Sequence, residues 1–207
     1  MNSIDTVTLE VADTTAAERF YTAFGLGDQV RLRASDAPTT GFRGFSLSLT
    51  VSRPADVKAF AEAALDAGAT ALKPVSKSFW GYGGVVRAPD GTIWKIATSE
   101  KKDTGPATGR IDQIVLLLGA ADVTASKQFY VEHGLTVAKS FGRKYVEFAA
   151  GSGPVKLALY GRRALAKDVG VPVDGAGSHR LVLGGGTEAF TDPDGFAWEP
   201  APATSRI

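Results

Sequence analysis

Two matching segments carry the side chains with the clearest chemical potential. The later segment, Asp192–Gly195 (Asp-Pro-Asp-Gly), leads into a Trp-Glu pair that ends at Glu199. The earlier segment, Ala88–Gly91 (Ala-Pro-Asp-Gly), leads at the same spacing into a Trp-Lys pair that ends at Lys95. A carboxylate is a ligand for divalent cations, whereas a protonated amine repels them. We therefore expect a duplicated unit whose two copies do not share the same chemistry.

Aromatic residues and glycines are concentrated in residues 77–84 (Lys-Ser-Phe-Trp-Gly-Tyr-Gly-Gly). Such a segment forms either a wall or lid that stacks on a flat ligand, or a surface loop that packs on its own sheet. Phe79, Trp80 and Tyr82 are therefore candidate substrate-binding residues.

A basic segment in the second half supplies further candidates. Arg143 or Lys144 could bind an anionic group of a substrate, or both could stand in a solvated turn between strands. Tyr145 and Glu147 share one face of the strand that follows, because strand side chains alternate. Tyr145 either lines a cavity or packs, and Glu147 is a possible general base. We count Arg143 and Tyr145 among the candidate substrate-binding residues.

The composition limits the remaining chemistry and the partners. The 207 residues include two histidines and no cysteine, so no thiolate nucleophile, disulfide or sulfur-ligated metal is available. His133 stands beside a glycine at a predicted helix end, a position typical of a residue that caps exposed carbonyls. The 23 basic and 22 acidic residues form no basic stripe, which disfavours nucleic acid as a partner. No apolar run could span a bilayer and no signal-peptide pattern occurs, so we expect a cytoplasmic protein that does not bind membranes.

Further landmarks recur in fixed order and support a duplication. Ile4–Val7 (Ile-Asp-Thr-Val) recurs 107 residues later as Ile111–Ile114 (Ile-Asp-Gln-Ile). The pair Phe20-Tyr21 recurs 109 residues later as Phe129-Tyr130. We therefore divide the chain into an N-terminal half, a linker and a C-terminal half at residues 1–100, 101–110 and 111–207.

Each half is predicted to begin with a strand and a helix. The strands cover Ile4–Val11 and Ile111–Leu118, and the helices contain the Phe-Tyr pairs and end at Gly25 and Gly134. Several strands follow, and the last hairpin of each half turns at Pro-Asp-Gly, where Asp-Gly suits a tight turn. A second helix, Ala55–Ala67, is expected only in the first half. The fold class is therefore α+β.

The opening strand, the Phe-Tyr helix that ends in Gly-Leu, and the (Asp/Ala)-Pro-Asp-Gly-x-x-Trp-(Glu/Lys) hairpin resemble the vicinal oxygen chelate superfamily. This superfamily includes glyoxalase I, bleomycin-resistance proteins and type I extradiol dioxygenases. The resemblance implies tandem glyoxalase-like halves, in which paired βαβββ modules form curled mixed sheets around a cleft. The same fold hosts many chemistries, so it does not by itself specify a reaction.

The resemblance also implies where a metal ion would bind. Ligands in the superfamily come from the opening strands of two modules and from the strand after the Pro-Asp-Gly hairpin. In the first half these positions hold Thr6, Ser46 and Lys95, which is a degenerate set. In the second half they hold Gln113, His179 and Glu199, acceptable ligands for one Fe, Mn, Ni, Zn or Mg ion. Pairing of modules within one half would join these three side chains, whereas pairing between halves would combine Thr6 with His179 and Glu199.

Two functions remain open from the sequence. In the first, the protein binds a small organic molecule in the cleft, and a divalent metal ion assists lyase, isomerase or dioxygenase chemistry in the C-terminal half. In the second, it is a metal-free, ligand-sequestering protein of the bleomycin-resistance type, with no cofactor and no catalysis. Both a monomer and a homodimer are compatible with two tandem halves.

Overall fold

The computed structural model describes residues 4–27, 29–150, 155–186 and 188–200. These residues form four helices: α1 (Thr14–Ala23), α2 (Pro54–Asp66), α3 (Val123–Glu132) and α4 (Arg162–Val169). The strands of the first half are β1 (Thr6–Val11), β2 (Arg31–Ala34), β3 (Thr39–Gly41), β4 (Phe45–Thr50), β5 (Thr70–Ser78), β6 (Gly81–Arg87) and β7 (Ile93–Thr98). Those of the second half are β8 (Gln113–Ala120), β9 (Val137–Phe141), β10 (Tyr145–Phe148), β11 (Val155–Gly161), β12 (Gly175–Gly177), β13 (Leu181–Gly184), β14 (Phe190–Thr191) and β15 (Ala197–Glu199). The α+β fold class predicted from the sequence is confirmed. Within the described ranges, no helix has the length and apolar character that crossing a membrane requires.

Each of the two large sheets contains strands from both halves of the chain. The eight-stranded sheet has the order β5-β6-β7-β4-β8-β11-β10-β9, and the five-stranded sheet has the order β14-β15-β13-β1-β2. The halves meet where β4 pairs with β8 and where β1 pairs with β13, both antiparallel. Modules are therefore paired between the halves, which is the second of the two arrangements that the sequence left open.

Local sequence signals set both ends of the helices. The side chains of Asp13 and Asp122 accept hydrogen bonds from the first-turn amides of α1 and α3, and thereby satisfy donors that have no partner within the helix. Gly25 and Gly134 follow the two helices with positive φ angles of 85° and 91°, a conformation that glycine adopts without steric cost. The second helix of the first half begins at Pro54, a residue suited to the first helical turn.

One continuous core joins α1, α2 and α3 to one face of each large sheet. Trp94 and Trp198, the aromatic residues of the two repeated hairpins, are both fully buried in it. Tyr21 of α1 packs edge-on against Trp94, and Tyr130 of α3 packs against Trp198. The two Phe-Tyr helices thus pack against the buried tryptophan of their own half in the same way.

The other face of the eight-stranded sheet is called the open face below. Its side chains alternate with those of the core and include Ser48, Lys95, Val115 and Lys156, which stand side by side on β4, β7, β8 and β11. Helix α4 packs on part of this face. It was not predicted from the sequence, from which a second helix was expected only in the first half. Leu165, Ala166 and Val169 of α4 form a second, smaller core with Phe42, Val85 and Ile93.

Candidate functional site

A cleft of about 400 Å³ lies on the open face of the eight-stranded sheet, beside the C-terminal end of α4. Strands β5, β6 and β7 provide most of its wall, and we call it the main cleft because Trp80 of the predicted aromatic segment lines it; a larger cleft of about 740 Å³ lies at the N-terminal end of α4. Its lining comprises Thr50, Lys73, Pro74, Ser76, Ser78, Trp80, Gly81, Tyr82, Gly83, Gly84, Val85, Lys95, Ala97, Thr98, Ser99 and Asp168. Gly83 has no side chain to occupy the cleft, and a Cβ atom there would lie 2.7 Å from the carbonyl oxygen of Ile96. The main cleft is therefore built into the sheet.

Two ammonium groups of the main cleft are held by the end of α4. Lys95 Nζ lies 2.7 Å from Asp168 Oδ2 in an ion pair whose two side chains are each about one-third exposed. Lys73 Nζ donates hydrogen bonds to the backbone carbonyls of Lys167 and Asp168. A cation at this position satisfies helix carbonyls that have no partner within the helix and opposes the negative end of the helix dipole. Two positive charges and one negative charge leave the lining with an excess of one positive charge.

The predicted aromatic residues lie at the tip and along one strand of the β5–β6 hairpin. Phe79 and Trp80 are 80% and 83% exposed, and their rings contact each other edge-on with centroids 4.9 Å apart. Trp80 and Tyr82 line the main cleft, whereas Phe79 contacts solvent and lies 5.5 Å from the ammonium group of Lys101. Exposed aromatic side chains of this size are uncommon away from binding surfaces.

The remaining predicted substrate-binding residues lie elsewhere. Arg143 lines a separate cleft at the N-terminal end of α4. Tyr145 donates a hydrogen bond to Glu147 on the open face, and burial raises the pKa of its hydroxyl, helped by the Glu147 charge. Burial would raise the pKa of Glu147, but hydrogen bonds from Lys156 and Tyr145 and the charges of Lys156 and Lys139 outweigh it and lower the pKa. Glu147 is thus a carboxylate paired with Lys156, which disfavours the predicted role as a general base.

The three predicted metal ligands have separate partners. Gln113 lies on β8 of the eight-stranded sheet, where its side-chain amide donates to the carbonyl of Ile114. Glu199 lies on β15 of the five-stranded sheet, where both carboxylate oxygens accept hydrogen bonds from Arg33 at 2.8 and 2.6 Å. These bonds lower the pKa of Glu199 and raise that of Arg33. A guanidinium thus neutralises the carboxylate.

His179 supports the turn of the second hairpin. Its ring stacks on Phe196 with centroids 4.1 Å apart, Nδ1 lies 2.5 Å from the carbonyl oxygen of Arg43, and Nε2 lies 3.1 Å from that of Asp194. A carbonyl oxygen therefore stands where a metal ion would have to approach each nitrogen. Glu199 pairs with Gly184, five residues further along the chain from His179.

Strand register identifies the first-half counterpart of His179. Leu47 pairs with Trp94 as Leu183 pairs with Trp198, so Arg43, rather than Ser46, corresponds to His179. Arg43 bonds the carbonyl oxygen of Asp90 much as His179 approaches that of Asp194.

The residue after each has a left-handed backbone conformation. In the first half this residue is Gly44 at φ 84°, and in the second it is Arg180 at φ 54°. The residue pair before β4 therefore has the same supporting role as the pair before β13.

The donor set does not fit a metal ion in this arrangement. No hydrogen bond or ion pair links Gln113, His179 and Glu199 to one another within the described ranges. Nor do the described residues contain a group of three or more His, Cys, Asp or Glu side chains placed to hold a metal ion. The second histidine, His133, follows α3 as its C-terminal cap. Its Nδ1 lies 2.8 Å from the carbonyl oxygen of Phe129, as expected of a capping residue.

Sequence reasoning missed Lys73 and Asp168 as residues of the main cleft. Asp168 stands in a segment, Gly161–Gly170, that carries helix signals: a glycine at each end and apolar residues at Leu165, Ala166 and Val169. Lys95 was interpreted only as a lost metal ligand. Lys95 stands where the second half has Glu199, and its ion pair with Asp168 shows that it places a positive charge on the open face.

Comparisons with known proteins support the fold. Neither the family models nor the curated protein sequences gave a match to this chain. A putative dioxygenase from Bacillus subtilis subsp. subtilis str. 168 superposes with a TM-score of 0.59 at 11% sequence identity, covering 96% of this chain and 84% of that one. Glyoxalase I from Zea mays superposes with a TM-score of 0.60 at 15% identity, covering 95% of this chain and 90% of that one. The chain therefore has a glyoxalase-like fold, which is the fold that the resemblance in its sequence implied.

Proposed function

We propose that this protein binds a small, flat, anionic organic molecule in the main cleft, without a metal ion and without transforming it. This is the ligand-sequestering role of the bleomycin-resistance type, one of the two functions that the sequence left open. The observation that carries the proposal is an 83% exposed tryptophan, Trp80, on the wall of a cleft that also holds two ammonium groups.

The size and lining of the main cleft support a small organic ligand. Its volume of about 400 Å³ lies within the range of small-molecule sites. Trp80 offers a ring face for stacking, while Ser76 and Ser78 offer hydroxyl groups along the same wall. The ring of Tyr82, by contrast, packs against the core, beneath the ammonium group of Lys58. Apolar walls with a few polar groups are typical of sites that orient a flat molecule.

The charge of the lining supports an anionic ligand. Lys73 and Lys95 contribute two positive charges and Asp168 contributes one negative charge. A ligand carboxylate or sulfonate near Lys95 would restore neutrality in a partly desolvated site, where charge pairing is stronger than in water. The described lining contains no histidine and its one carboxylate is paired, so a general base for catalysis has no support there.

Metal-assisted chemistry, the alternative, has less support from the contacts of the predicted ligands. Glu199 is paired with Arg33, and both ring nitrogens of His179 face carbonyl oxygens. Metal content of the purified protein tests this alternative. About one equivalent of metal in the parent, lost in Glu199→Ala, would favour it over the proposal.

The binding proposal can be tested with 8-anilinonaphthalene-1-sulfonate, a flat aromatic anion, titrated into the folded protein. We expect a saturable rise in dye fluorescence. Trp80→Ala should weaken binding roughly tenfold, because a stacked aromatic pair contributes about 0.5–1.5 kcal/mol beyond the contact area that is also lost. The fold should be unaffected, since Trp80 is exposed.

Phe79→Ala is the matched control. Phe79 is as exposed as its neighbour but is not among the residues that line the main cleft, so its loss should leave dye affinity unchanged. Equal losses in both variants would indicate nonspecific adsorption to the hairpin tip. Unchanged affinity in both variants would place the dye elsewhere. Either result contradicts the proposal.

A further inference from the structure

The two repeated hairpins anchor differently to the helix that precedes them. In the second half, the Asp194 carboxylate accepts hydrogen bonds from the Ala121 amide at 2.7 Å and from Ser126 Oγ at 2.5 Å. Asp192 separately accepts the hydroxyl hydrogen of Tyr130 at 2.6 Å. Two carboxylates thus divide two tasks, and that of Asp194 fills the space at the start of α3.

One of these two carboxylates is missing from the first half. Ala88 replaces Asp192, and Asp90, the counterpart of Asp194, instead accepts the hydroxyl hydrogen of Tyr21 at 2.8 Å and the Thr92 amide at 2.8 Å. The Asp90 carboxylate therefore performs the task of Asp192. The start of α1 keeps its cap, Asp13, but no described carboxylate takes the place that Asp194 has beside α3. Ala12 corresponds to Ala121 by the 109-residue spacing of the repeat.

A cleft of about 250 Å³ remains at that position. We call it the helix-start cleft. The backbone N–H of Ala12 has no acceptor there among the described residues, and Ala17 stands where the second half has the hydroxyl of Ser126. Val11, Ala16, Phe20 and Pro89 supply apolar wall. The space thus combines a free donor with an apolar lining.

Two guanidinium groups also line the helix-start cleft. Arg43 Nη1 and Arg180 Nε are both buried without a hydrogen-bond partner within the described ranges. Burial and the nearby Arg180 charge lower the pKa of Arg43. These two nitrogen atoms are shielded from solvent, and the remaining nitrogens that have partners donate to backbone carbonyls. The positive charges of both side chains, which line the cleft, nevertheless favour an anion there.

The local charges accommodate one more carboxylate. Asp13 and Asp90 line the helix-start cleft, but Asp13 caps α1 and Asp90 is held by Tyr21 and Thr92. The second half has three carboxylates in the equivalent place, with an imidazole where the first half has Arg43. One added carboxylate would give the first half the same number, beside two guanidinium groups instead.

From this comparison we infer that the helix-start cleft is a binding site for a small monocarboxylate with a short apolar or aromatic tail. The ligand carboxylate takes the position that the Asp194 side chain has in the second half. It accepts the Ala12 N–H and pairs with the Arg43 guanidinium, while its tail packs on Ala17 and Phe20. This site is distinct from the main cleft.

The test is amide NMR of the full chain titrated with sodium benzoate, with neutral benzamide as the matched control. At about 20 mM, enough for a Kd near 1 mM, benzoate should shift the Ala12 amide and benzamide should not. Ala88→Asp should restore the Asp192 carboxylate to the first half and release Asp90 to the Ala12 amide. Benzoate affinity should then fall at least roughly tenfold, the loss expected when a charge-assisted hydrogen bond is displaced.

If Ala88→Asp does not fold, Ala16→Leu replaces it, because Ala16 is exposed on α1 and a larger side chain there would fill the cleft. The same loss of benzoate binding is expected. Three results would overturn the inference: equal shifts with benzoate and benzamide, unchanged benzoate affinity in the variant, or benzoate shifts confined to main-cleft residues such as Gly83 and Ala97. Absence of any benzoate shift would do so as well.

Discussion

Replacing Asp168 with asparagine should tighten the binding of anions in the main cleft while slightly weakening the fold. Asp168 supplies the negative charge that pairs with Lys95 at 2.7 Å. The substitution keeps the size of the side chain and releases the Lys95 ammonium group for a ligand. Because affinity and stability are expected to change in opposite directions, the result cannot be explained by a general loss of structure.

The size of both effects follows from the exposure of the pair. Each side chain is about one-third exposed, so the ion pair should contribute no more than about 1 kcal/mol to the free energy of unfolding. A ligand anion about 4 Å from the removed carboxylate would escape a repulsion of about 1 kcal/mol in water-like surroundings. That corresponds to roughly fivefold tighter binding.

Dye titration and urea denaturation measure the two effects on the same samples. Glu62→Gln is the matched control, because it removes one negative charge from an exposed position on α2, whose helix packs on the other face of the sheet. It should change dye affinity little. An unchanged or weaker affinity for the dye in folded Asp168→Asn would refute the assignment of the Lys95 charge to ligand binding.

Three further outcomes are expected. Because the pKa of Glu147 is lowered from 4.5 in the folded state, its stabilising contribution is present above about pH 4.5 and lost as the pH falls further. The stability gap between the parent and Glu147→Gln, measured by urea denaturation, should therefore narrow on acidification. Glu199→Gln should lower the free energy of unfolding by less than about 1 kcal/mol, since its pair with Arg33 is exposed, and should leave any thermal shift with Zn²⁺ unchanged. Trp198→Ala should cost about 3–5 kcal/mol in chemical denaturation, because this fully buried ring would leave a cavity in the core.

Much of the fold could be predicted because the repeat recurs in local signals. Helix caps at Asp13 and Asp122, helix-ending glycines and Asp-Gly turns act over a few residues, and these signals are readable in one chain. The pairing of the modules could not be predicted in the same way. Strand β8 pairs with β11 of its own half and also with β4 of the other half, and this second pairing depends on contacts between segments far apart in sequence.

The candidate site was predicted only in part, for the same reason. Trp80 and Tyr82 were identified from their type and setting, and both line the main cleft. Lys73 and Asp168 escaped notice because their importance depends on where α4 packs, and no local pattern indicates which face of the sheet it covers. The pairing of Glu199 with Arg33 could not be predicted from residue spacing either, because the two residues are 166 positions apart in sequence.

The interpretation of His179 shows the limit of carrying a motif position over from a family. His179 lies two residues before β13 begins at Leu181, in the turn rather than on the sheet face. The strand register makes Arg43 the counterpart of His179, and both bond the carbonyl of a Pro-Asp-Gly turn. An imidazole in that position supports a hairpin, a role that its residue type alone does not reveal.

A crystal structure of the protein bound to 8-anilinonaphthalene-1-sulfonate would test the proposed ligand site most directly. The dye's rings should stack on Trp80, with the sulfonate within hydrogen-bonding distance of Lys95 or Lys73. Dye bound only outside the main cleft, with those three side chains unchanged, would contradict the account.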